Sequence, residues 1–418
     1  MPYYDVRLHD VVVGQMAHDP AQDRSSFRFS EDYRRQPRRH VLGQHFEDDL
    51  RRTYGSKRGI PAWFANLVPE GALRDLLKRS LSLDTDADLP ILVAVGRDLP
   101  GAVEVLPAVE DAVLFSDHGE AEGENDARDY TDATGQAELA LRFSLPGVQM
   151  KFSVLREQEK IALPMHGQLG NWIVKLDSRR FPRLVENEFA TMEWARAAGL
   201  EVPECQIAPL EVLDDALQSY APEGTNVFLI RRYDRDGSKR IHQEDFAQVV
   251  NQPPASKYGH TTYEGCASLV RQIVGPEGYR EFIRRLTFMV ASGNADAHLK
   301  NWSLLYPDGV TAVLSPLYDQ VATVAWPEEV TFKWALKFAG TKDPYHIDSS
   351  AFTRLAQKSG GDVKDTLRTM QETIERTAAA WSTSAASEAM PREHAERLGE
   401  YWSRAPLLRA HLTPGMFA

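Results

Sequence analysis

The sequence predicts an α+β chain organised as two or three domains or lobes. Three observations carry that prediction. A length of 418 residues exceeds one ordinary core. Strand-like and turn-rich pieces alternate up to about residue 105, and the final third has a helical apolar pattern. Hydrophobic residues at 43% and charged residues at 26% mark a globular chain rather than a disordered one.

In chain order, Val11-Val12-Val13-Gly14 and Phe27-Arg28-Phe29-Ser30 read as strands. A helical piece follows around Ala62 to Leu67, then Val68-Pro69-Glu70-Gly71 and a helix-like run from Ala72 to Ser80. A further apolar segment, Pro90 to Gly96, leads to Gly101-Ala102-Val103-Glu104-Val105. Nothing in this stretch is chemically reactive in pattern, so residues 1–110 read as a scaffold or docking domain. From Ser116 to Glu138, acidic residues at 117, 120, 122, 124, 126, 129, 132 and 138 face one basic residue, Arg128. Such a run buries little surface, so 111–138 is expected to be a mobile, solvated connection between domains.

The stretch from Leu141 to Val154 offers a strand-like start, the bend Pro146-Gly147 and a strand-like exit. It fits either an ordinary hairpin turn or a loop whose backbone N–H groups face a phosphate. Trp172-Ile173-Val174-Lys175-Leu176 reads as a buried strand with one lysine among apolar residues. That lysine is costly unless paired with a phosphate or carboxylate, or unless it snorkels from a sheet edge. A helix from about Val185 to Ala198 carries Glu186 and Glu188 near its start and Gly199 at its stop, and either acid could reach Lys175. Phe228 to Arg235 is a strand entering a charged turn at Asp236-Gly237, and His242 to Gln248 is read as a helix start, with His242 as a capping or buried hydrogen-bonding residue. Near the end, Leu367, Met370, Ile374, Ala378 and Trp381 recur at steps of three and four, a packing stripe.

The stretch Gly293-Asn294-Ala295-Asp296-Ala297-His298-Leu299-Lys300-Asn301 concentrates the chemistry. Before it, Pro276 suits a first helical position and Phe282, Leu286, Met289 and Val290 mark a core-facing helix. After it, residues 302–306 and 310–314 flank the turn Pro307-Asp308-Gly309 as a predicted hairpin. Its closure would bring Asp319 toward Asp296 and Asn301. Three oxygen side chains suit phosphoryl transfer: Asp296 to accept a hydroxyl proton, Asn301 and Asp319 as hard ligands for Mg²⁺. Asp296 and Asn301 have the Asp-to-Asn separation of the protein-kinase catalytic loop. Taken singly, they are equally ordinary loop residues that bond their own backbone.

Composition excludes other classes. The net charge of −12, from 48 basic and 60 acidic residues, argues against direct non-specific binding to nucleic acid. Cys205 and Cys266 lack metal-type spacing, so no disulfide scaffold or zinc site is expected. The first residues lack a signal-peptide profile and no apolar run approaches membrane-spanning length, which leads to the expectation of a soluble protein in a reducing cytoplasm, with no membrane partner.

Taken in order, Ser144 to Lys151, Trp172 to Leu176, Asn187-Glu188, Ile230 to Arg235, His242 to Gln248, Asn294 to Asn301 and Ser315 to Asp319 resemble the HipA family of toxin serine/threonine kinases. Asn66 to Gly71 and Gly101 to Pro107 are similar to that family's first domain, so the resemblance extends over nearly the full length. It implies a protein-kinase-like fold of two lobes. An amino-terminal subdomain (1–110) precedes a mostly β ATP-binding lobe (139–236) and a helical catalytic lobe (237–418). It also implies ATP and Mg²⁺ as cofactors. By resemblance Asp296 is the catalytic base, Asn301 and Asp319 hold the metal, and Lys175 reaches the ATP phosphates. Leu145, Pro146, Gly147, Val148 and Gln149 form the phosphate-binding loop, with Lys151, Arg231, Tyr233, His298 and Lys300 also at the nucleotide. Ser144 occupies the family's autophosphorylated position, whose phosphate would repel those of ATP and drive the loop out. The implied partners are a small helix-turn-helix antitoxin resembling HipB, DNA only through that antitoxin, and a substrate in the translation machinery such as an aminoacyl-tRNA synthetase.

Pro146 and Val148 stand where alanines are usual, Met150 replaces a polar residue, and Arg231 replaces an acidic residue that commonly contacts the adenine region. These departures motivate an alternative, a catalytically idle co-repressor bound to its antitoxin on operator DNA. A small-molecule kinase of the antibiotic or choline type is a further alternative, because it shares the Asp-to-Asn spacing.

Overall fold

A computed structural model describes residues 1–80, 82–83, 87–108, 150–157, 160–162, 169–213, 215–327 and 332–417. The acidic stretch 111–138, Ser144 and the loop Leu145 to Gln149 lie outside the described residues. The chain divides into two compact units, Met1–Val174 with Arg232–Pro254 and Leu305–Thr311, and Lys175–Arg231 with Ala255–Leu304 and Ala312–Ala418.

In the first unit Arg24–Phe29 buries every second side chain, the period expected of a strand with one wet face. It belongs to an antiparallel sheet in the order Tyr54–Gly55, Arg24–Phe29, Val11–Asp19, Tyr3–Leu8, Val103–Pro107. Phe27 is fully buried and its ring meets those of Phe29, Phe46 and Phe64 at 4.8, 5.7 and 5.0 Å. The apolar segment at 90–96 is the helix Asp88–Ala94, which leads back into the sheet. Beyond the sheet, Lys151–Glu157 pairs antiparallel with Lys160–Ala162.

This unit also holds a sealed ion cluster. Arg232 and Arg235 each bond both Asp98 and Asp234, at 2.8 to 3.0 Å. Gly101 passes close by, with φ at +74° and its N–H on Asp234 at 2.7 Å. A Cβ there would stand 2.7 Å from the Gln243 nitrogen, so only glycine fits. Burial opposes charge on Asp234, but Arg232 and Arg235 hold its carboxyl far below the usual range.

Two readings of the sequence need correction. His242–Asp245 is a strand, and only Phe246–Val249 is helical. Asp245 and Gln248 form a reciprocal capping box, which starts the helix after Asp245. His242 is buried as expected, with Nε2 2.8 Å from the Leu42 carbonyl. The predicted second hairpin strand shrinks to Val313–Leu314. The Asp308 carboxylate takes the Val310 and Thr311 N–H groups at 2.9 and 2.6 Å, which commits them to the turn.

The second unit is mainly helical: Leu184–Ala197, Tyr263–Ile273, Pro276–Ser292, Ser349–Ser359, Val363–Trp381 and Arg392–Arg404. Within it Cys205–Pro209 pairs antiparallel with Asn226–Arg231. Trp194, Trp381 and Phe417 pack ring to ring, at 4.7 Å for each of Trp194–Trp381 and Trp381–Phe417. On Val363–Trp381 the buried face includes Thr366, Thr369, Thr373 and Thr377, whereas Leu367 and Ala378 are half-buried. Thr373 and Thr377 donate to carbonyls one turn earlier at 2.7 Å, so their hydroxyls enter the core satisfied, a face that an apolar stripe does not reveal.

Candidate functional site

The residues of the predicted chemical stretch sit in the second unit, and local physics fixes them. Pro276–Ser292 ends where Gly293 turns left-handed at φ +63°. Asn294 N–H reaches Met289 O at 3.1 Å and Gly293 N–H reaches Val290 O at 3.2 Å, the paired bonds of a Schellman stop. Side chains of Arg392–Arg404 bond the same turn again, at Val290 O and at one further carbonyl. Tyr401 donates to Val290 O at 2.8 Å and Trp402 to Ala291 O at 2.7 Å. The chain therefore leaves the helix at a fixed point.

From there two loops are stitched together. Asn294 Nδ2 donates to Gln320 Oε1 at 3.1 Å, and its Oδ1 accepts the Asp296 N–H at 3.1 Å. Thr323 Oγ1 accepts the Ala295 N–H at 2.8 Å and donates to Gly293 O at 3.0 Å. Asn301 Nδ2 donates to the Asp296 carbonyl at 3.1 Å, which orients the Asn301 amide. Ser315 N–H on Ser303 O at 3.0 Å closes the hairpin base, and buried Arg285 holds Ser315 O at 2.5 Å. Asp319 follows in a left-handed conformation, φ +58°, that costs a non-glycine residue energy and occurs where surroundings enforce it.

Lys175 links this loop to a helix. Its Nζ lies 2.5 Å from Glu188 Oε1 and 2.6 Å from Asp319 Oδ1, with the Phe228 ring centroid at 5.8 Å. The lysine is buried, so it does not snorkel. Burial works against its charge, yet Asp319 and Glu188 outweigh that and hold Lys175 above the usual lysine range. Glu186 instead accepts from Asn226 at 2.9 Å. Asp177, two residues past the lysine, takes the Arg183 and Leu184 N–H groups at the start of Leu184–Ala197. That contact sets the register which brings Glu188 to Lys175. Next to Glu188, buried Asn187 accepts the Ala322 N–H at 2.8 Å and so ties the same helix to the segment after Asp319.

Asp296 is exposed while Ala295, Ala297 and His298 are buried. Desolvation by the surrounding protein pushes its carboxyl up to about 6, with Asp319 adding to the rise and Tyr258 and Lys257 opposing it. Tyr258 donates to Asp296 Oδ1 at 2.9 Å. A carboxylate near neutrality that already accepts a hydroxyl hydrogen bond is equipped to act as a general base.

The remaining predicted residues are placed as follows. His298 and Lys300 are buried in the same loop; the His298 ring stands edge-on to Tyr258 at 5.0 Å, and Lys300 O accepts from Tyr318 at 2.9 Å. Arg231 is exposed, and its N–H is on Glu204 O at 2.8 Å. Tyr233 and Lys151 belong to the first unit; the Tyr233 hydroxyl bonds Gln243, and Lys151 begins its strand half-buried. Sequence reasoning missed Tyr258, Gln320 and Thr323. Only their nearness to Lys257-Tyr258-Gly259 and to Asp319 marks them, and neither segment has a periodicity to expose them.

The HipA-like C-terminal domain profile matches residues 143–381, and the HipA N-terminal domain profile matches residues 4–106. A protein of Sinorhizobium fredii, provisionally named kinase Y4dM, is 36% identical over 386 residues, covering 90% of each chain. The serine/threonine-protein kinase toxin HipA of Shewanella oneidensis is 24% identical over 345 residues, covering 76% of this chain and 74% of that one. The solved complex of Shewanella oneidensis HipA, HipB and operator DNA aligns over 98% of this chain and 96% of that chain, with TM-score 0.72 and 19% identity, which is a likeness of fold. No helix among the described residues is long and apolar enough to cross a membrane.

Proposed function

The chain belongs to the HipA family, and on that premise we propose that it is an ATP-dependent serine/threonine protein kinase, the toxin of a toxin–antitoxin module. The single observation that carries this reading is Lys175 held between Glu188 and Asp319 in the unit that also presents Asp296. A lysine–glutamate pair beside a metal-binding aspartate is what kinases assemble to position phosphates.

The residues present fit Mg·ATP. Among the described residues no three His, Cys, Asp or Glu side chains form a protein-only metal cage. Mg²⁺ does not ask for one; it is held by one or two side-chain oxygens together with phosphates and water. Asn301 and Asp319 supply such oxygens. When bound, the metal neutralises charge on the phosphates. Lys175 would then exchange one carboxylate for phosphate oxygen while Glu188 keeps it oriented. Asp296 takes the proton of the attacking hydroxyl, and the Asn294–Gln320 and Thr323 bonds hold it in place.

By family membership we extend the proposal to an antitoxin partner resembling HipB, a substrate in the translation machinery, and Ser144 as the self-phosphorylated residue. Purified protein and Asp296→Ala, both dephosphorylated first, are incubated with Mg·ATP and their phosphosites mapped by mass spectrometry. Phosphate on Ser144 in the wild type alone is expected. Loss of a general base costs on the order of 10² to 10⁴ in rate, so a variant with wild-type turnover would remove Asp296 from the mechanism.

A further inference from the structure

We propose that Asn187 and His394 are positioning residues: together they clamp the loop that carries Asp319 onto the helix that carries Glu188, and so hold the metal side of the site in place. The inference rests on the kinase reading and on Asp319 as a metal ligand. It goes beyond that reading because neither residue has a part in it. His394 lies on Arg392–Arg404, past residue 381, where the match to the HipA-like C-terminal profile ends.

The chemistry fixes how the pair is arranged. Asn187 is fully buried beside Glu188 in the chain, and its Oδ1 accepts the N–H of Ala322, just past Asp319, at 2.8 Å. A backbone N–H can only donate, so the amide presents oxygen to Ala322 and its NH₂ group to the other side. On that side stands His394 Nδ1, at 3.1 Å. An amide nitrogen also only donates, so Nδ1 accepts, and the ring is the neutral tautomer with its proton on Nε2. Burial pulls His394 down to about 4, which preserves that lone pair at neutral pH. The Trp326 ring meets the imidazole edge-on at 4.6 Å and limits its rotation.

This clamp matters because another link between the same two segments is given up during turnover. Lys175 joins Glu188 to Asp319 at 2.5 and 2.6 Å, and in the proposed reaction it exchanges one carboxylate for phosphate. The bond from Ala322 to Asn187 then keeps the Asp319 loop against the helix. The neighbouring residue ties in the base, since Thr323 Oγ1 accepts the Ala295 N–H at 2.8 Å. The last helix closes the frame. His394, Tyr401 and Trp402 stand at steps of seven and eight, on one helix face. Tyr401 and Trp402 hold Val290 O and Ala291 O, where the helix before Asp296 ends. One face of one helix thereby sets the Glu188 and Asp296 segments at a common spacing.

An amide turned the other way round would set its NH₂ group against the Ala322 N–H, donor against donor. His394 disfavours that flip, because Nδ1 offers the amide an acceptor and no donor. Without it, only Ala322 selects the orientation, and the clamp is formed for a smaller share of the time. A neutral hydrogen bond of this kind shifts an equilibrium by a few-fold to about tenfold, which sets the expected size of the effect.

The test compares full-length His394→Leu, His394→Asn and Asn187→Leu with the wild type. Each is read by ATP calorimetry with and without Mg²⁺, by ADP release and by a thermal melt. Both His394 variants lose the ring packed on Trp326, but Asn sets a carbonyl oxygen where Nδ1 stood and Leu sets none. In His394→Leu and Asn187→Leu the clamp predicts that Mg²⁺ tightens ATP binding about three- to tenfold less than in the wild type, and that kcat falls by a similar factor. Affinity for ATP without Mg²⁺ stays unchanged, and His394→Asn keeps most of the Mg²⁺ effect. Wild-type Mg²⁺ dependence in both leucine variants overturns the proposal. So does an equal loss in His394→Asn and His394→Leu, which would make the histidine a packing residue only. Should Asn187→Leu fail to fold, the His394 pair decides alone. A wild type whose ATP affinity ignores Mg²⁺ removes the kinase reading itself, an outcome visible without any variant.

Discussion

Each unit contains a cluster of buried charge, and the two clusters are built for opposite ends. In the first unit, Arg232 and Arg235 bond Asp98 and Asp234 with side chains only 1–6% exposed. Further bonds from the two guanidinium groups reach the Leu99 and Gly101 carbonyls. In the second, Lys175 is held by Glu188 and by Asp319, whose side chain is 30% exposed. An arginine fork locked on two carboxylates and two carbonyls cannot move without breaking several bonds at once. A lysine is a compact point charge that can trade one carboxylate for another anion. Burial of charge therefore says little about function. The kind of cation and the access to solvent separate a staple from a site.

Substitutions can break this contrast, and the largest effect belongs to the open cluster. Asp319→Asn should leave Lys175 on Glu188 and the fold intact while lowering turnover by on the order of 10² to 10³. ADP-release kinetics beside a thermal melt check both halves, and a melt that collapses would make Asp319 structural. In the sealed cluster Arg232→Met leaves Arg235 alone to face both Asp98 and Asp234, so one buried carboxylate charge goes uncompensated, and breaking a buried pair in this way costs about 3–5 kcal/mol. Chemical denaturation should show that loss. A variant as stable as the wild type would mean the arginines are not the staple described.

Acid titration sharpens the same comparison. With the Asp296 carboxyl pushed up to about 6, kcat/KM should fall roughly tenfold per pH unit below 6, because the base works only when deprotonated. Asp234, held far below the usual range, has no transition in that window. A flat profile between pH 5 and 7 would contradict the placement of Asp296.

The smallest effect concerns Glu244, which is fully buried in the first unit and pushed up to about 7 by that burial. Trp63, Tyr306 and Gln44 donate to it at 3.0, 2.5 and 2.9 Å and pull the other way. Because the folded value lies above the unfolded one, near 4.5, the fold prefers the protonated acid. Its stabilisation is complete below 4.5 and is lost as pH rises through 7, by at most about 3 kcal/mol. Glu244→Gln should flatten that slope in melts between pH 5 and 8; an unchanged slope would assign it to other groups.

What the sequence made legible was local. The helix from Pro276, its stop at Gly293 and the spacing of Asp296 and Asn301 follow from periodicity, capping and a short motif, all within one stretch of chain. Lys175 could be flagged as needing a partner, but the choice between Glu186 and Glu188 required the register set by Asp177. The sealed cluster was invisible because Asp98 and Arg232 are 134 positions apart. Tyr258 was missed for the same reason, since it meets Asp296 across 38 positions and no pattern joins them. The threonine-lined face of Val363–Trp381 was missed because polarity is a poor guide where side chains bond their own helix.

The central claim is that the cluster around Lys175 and Asp319 is built to receive phosphate together with a divalent cation. Calorimetric titration of ATP with and without Mg²⁺, in the wild type and in Asp319→Asn, tests it most directly. The account predicts that Mg²⁺ tightens ATP binding at least about tenfold in the wild type and little in Asp319→Asn. Equal affinity with and without Mg²⁺ in the wild type, or no ATP binding at all, would contradict it.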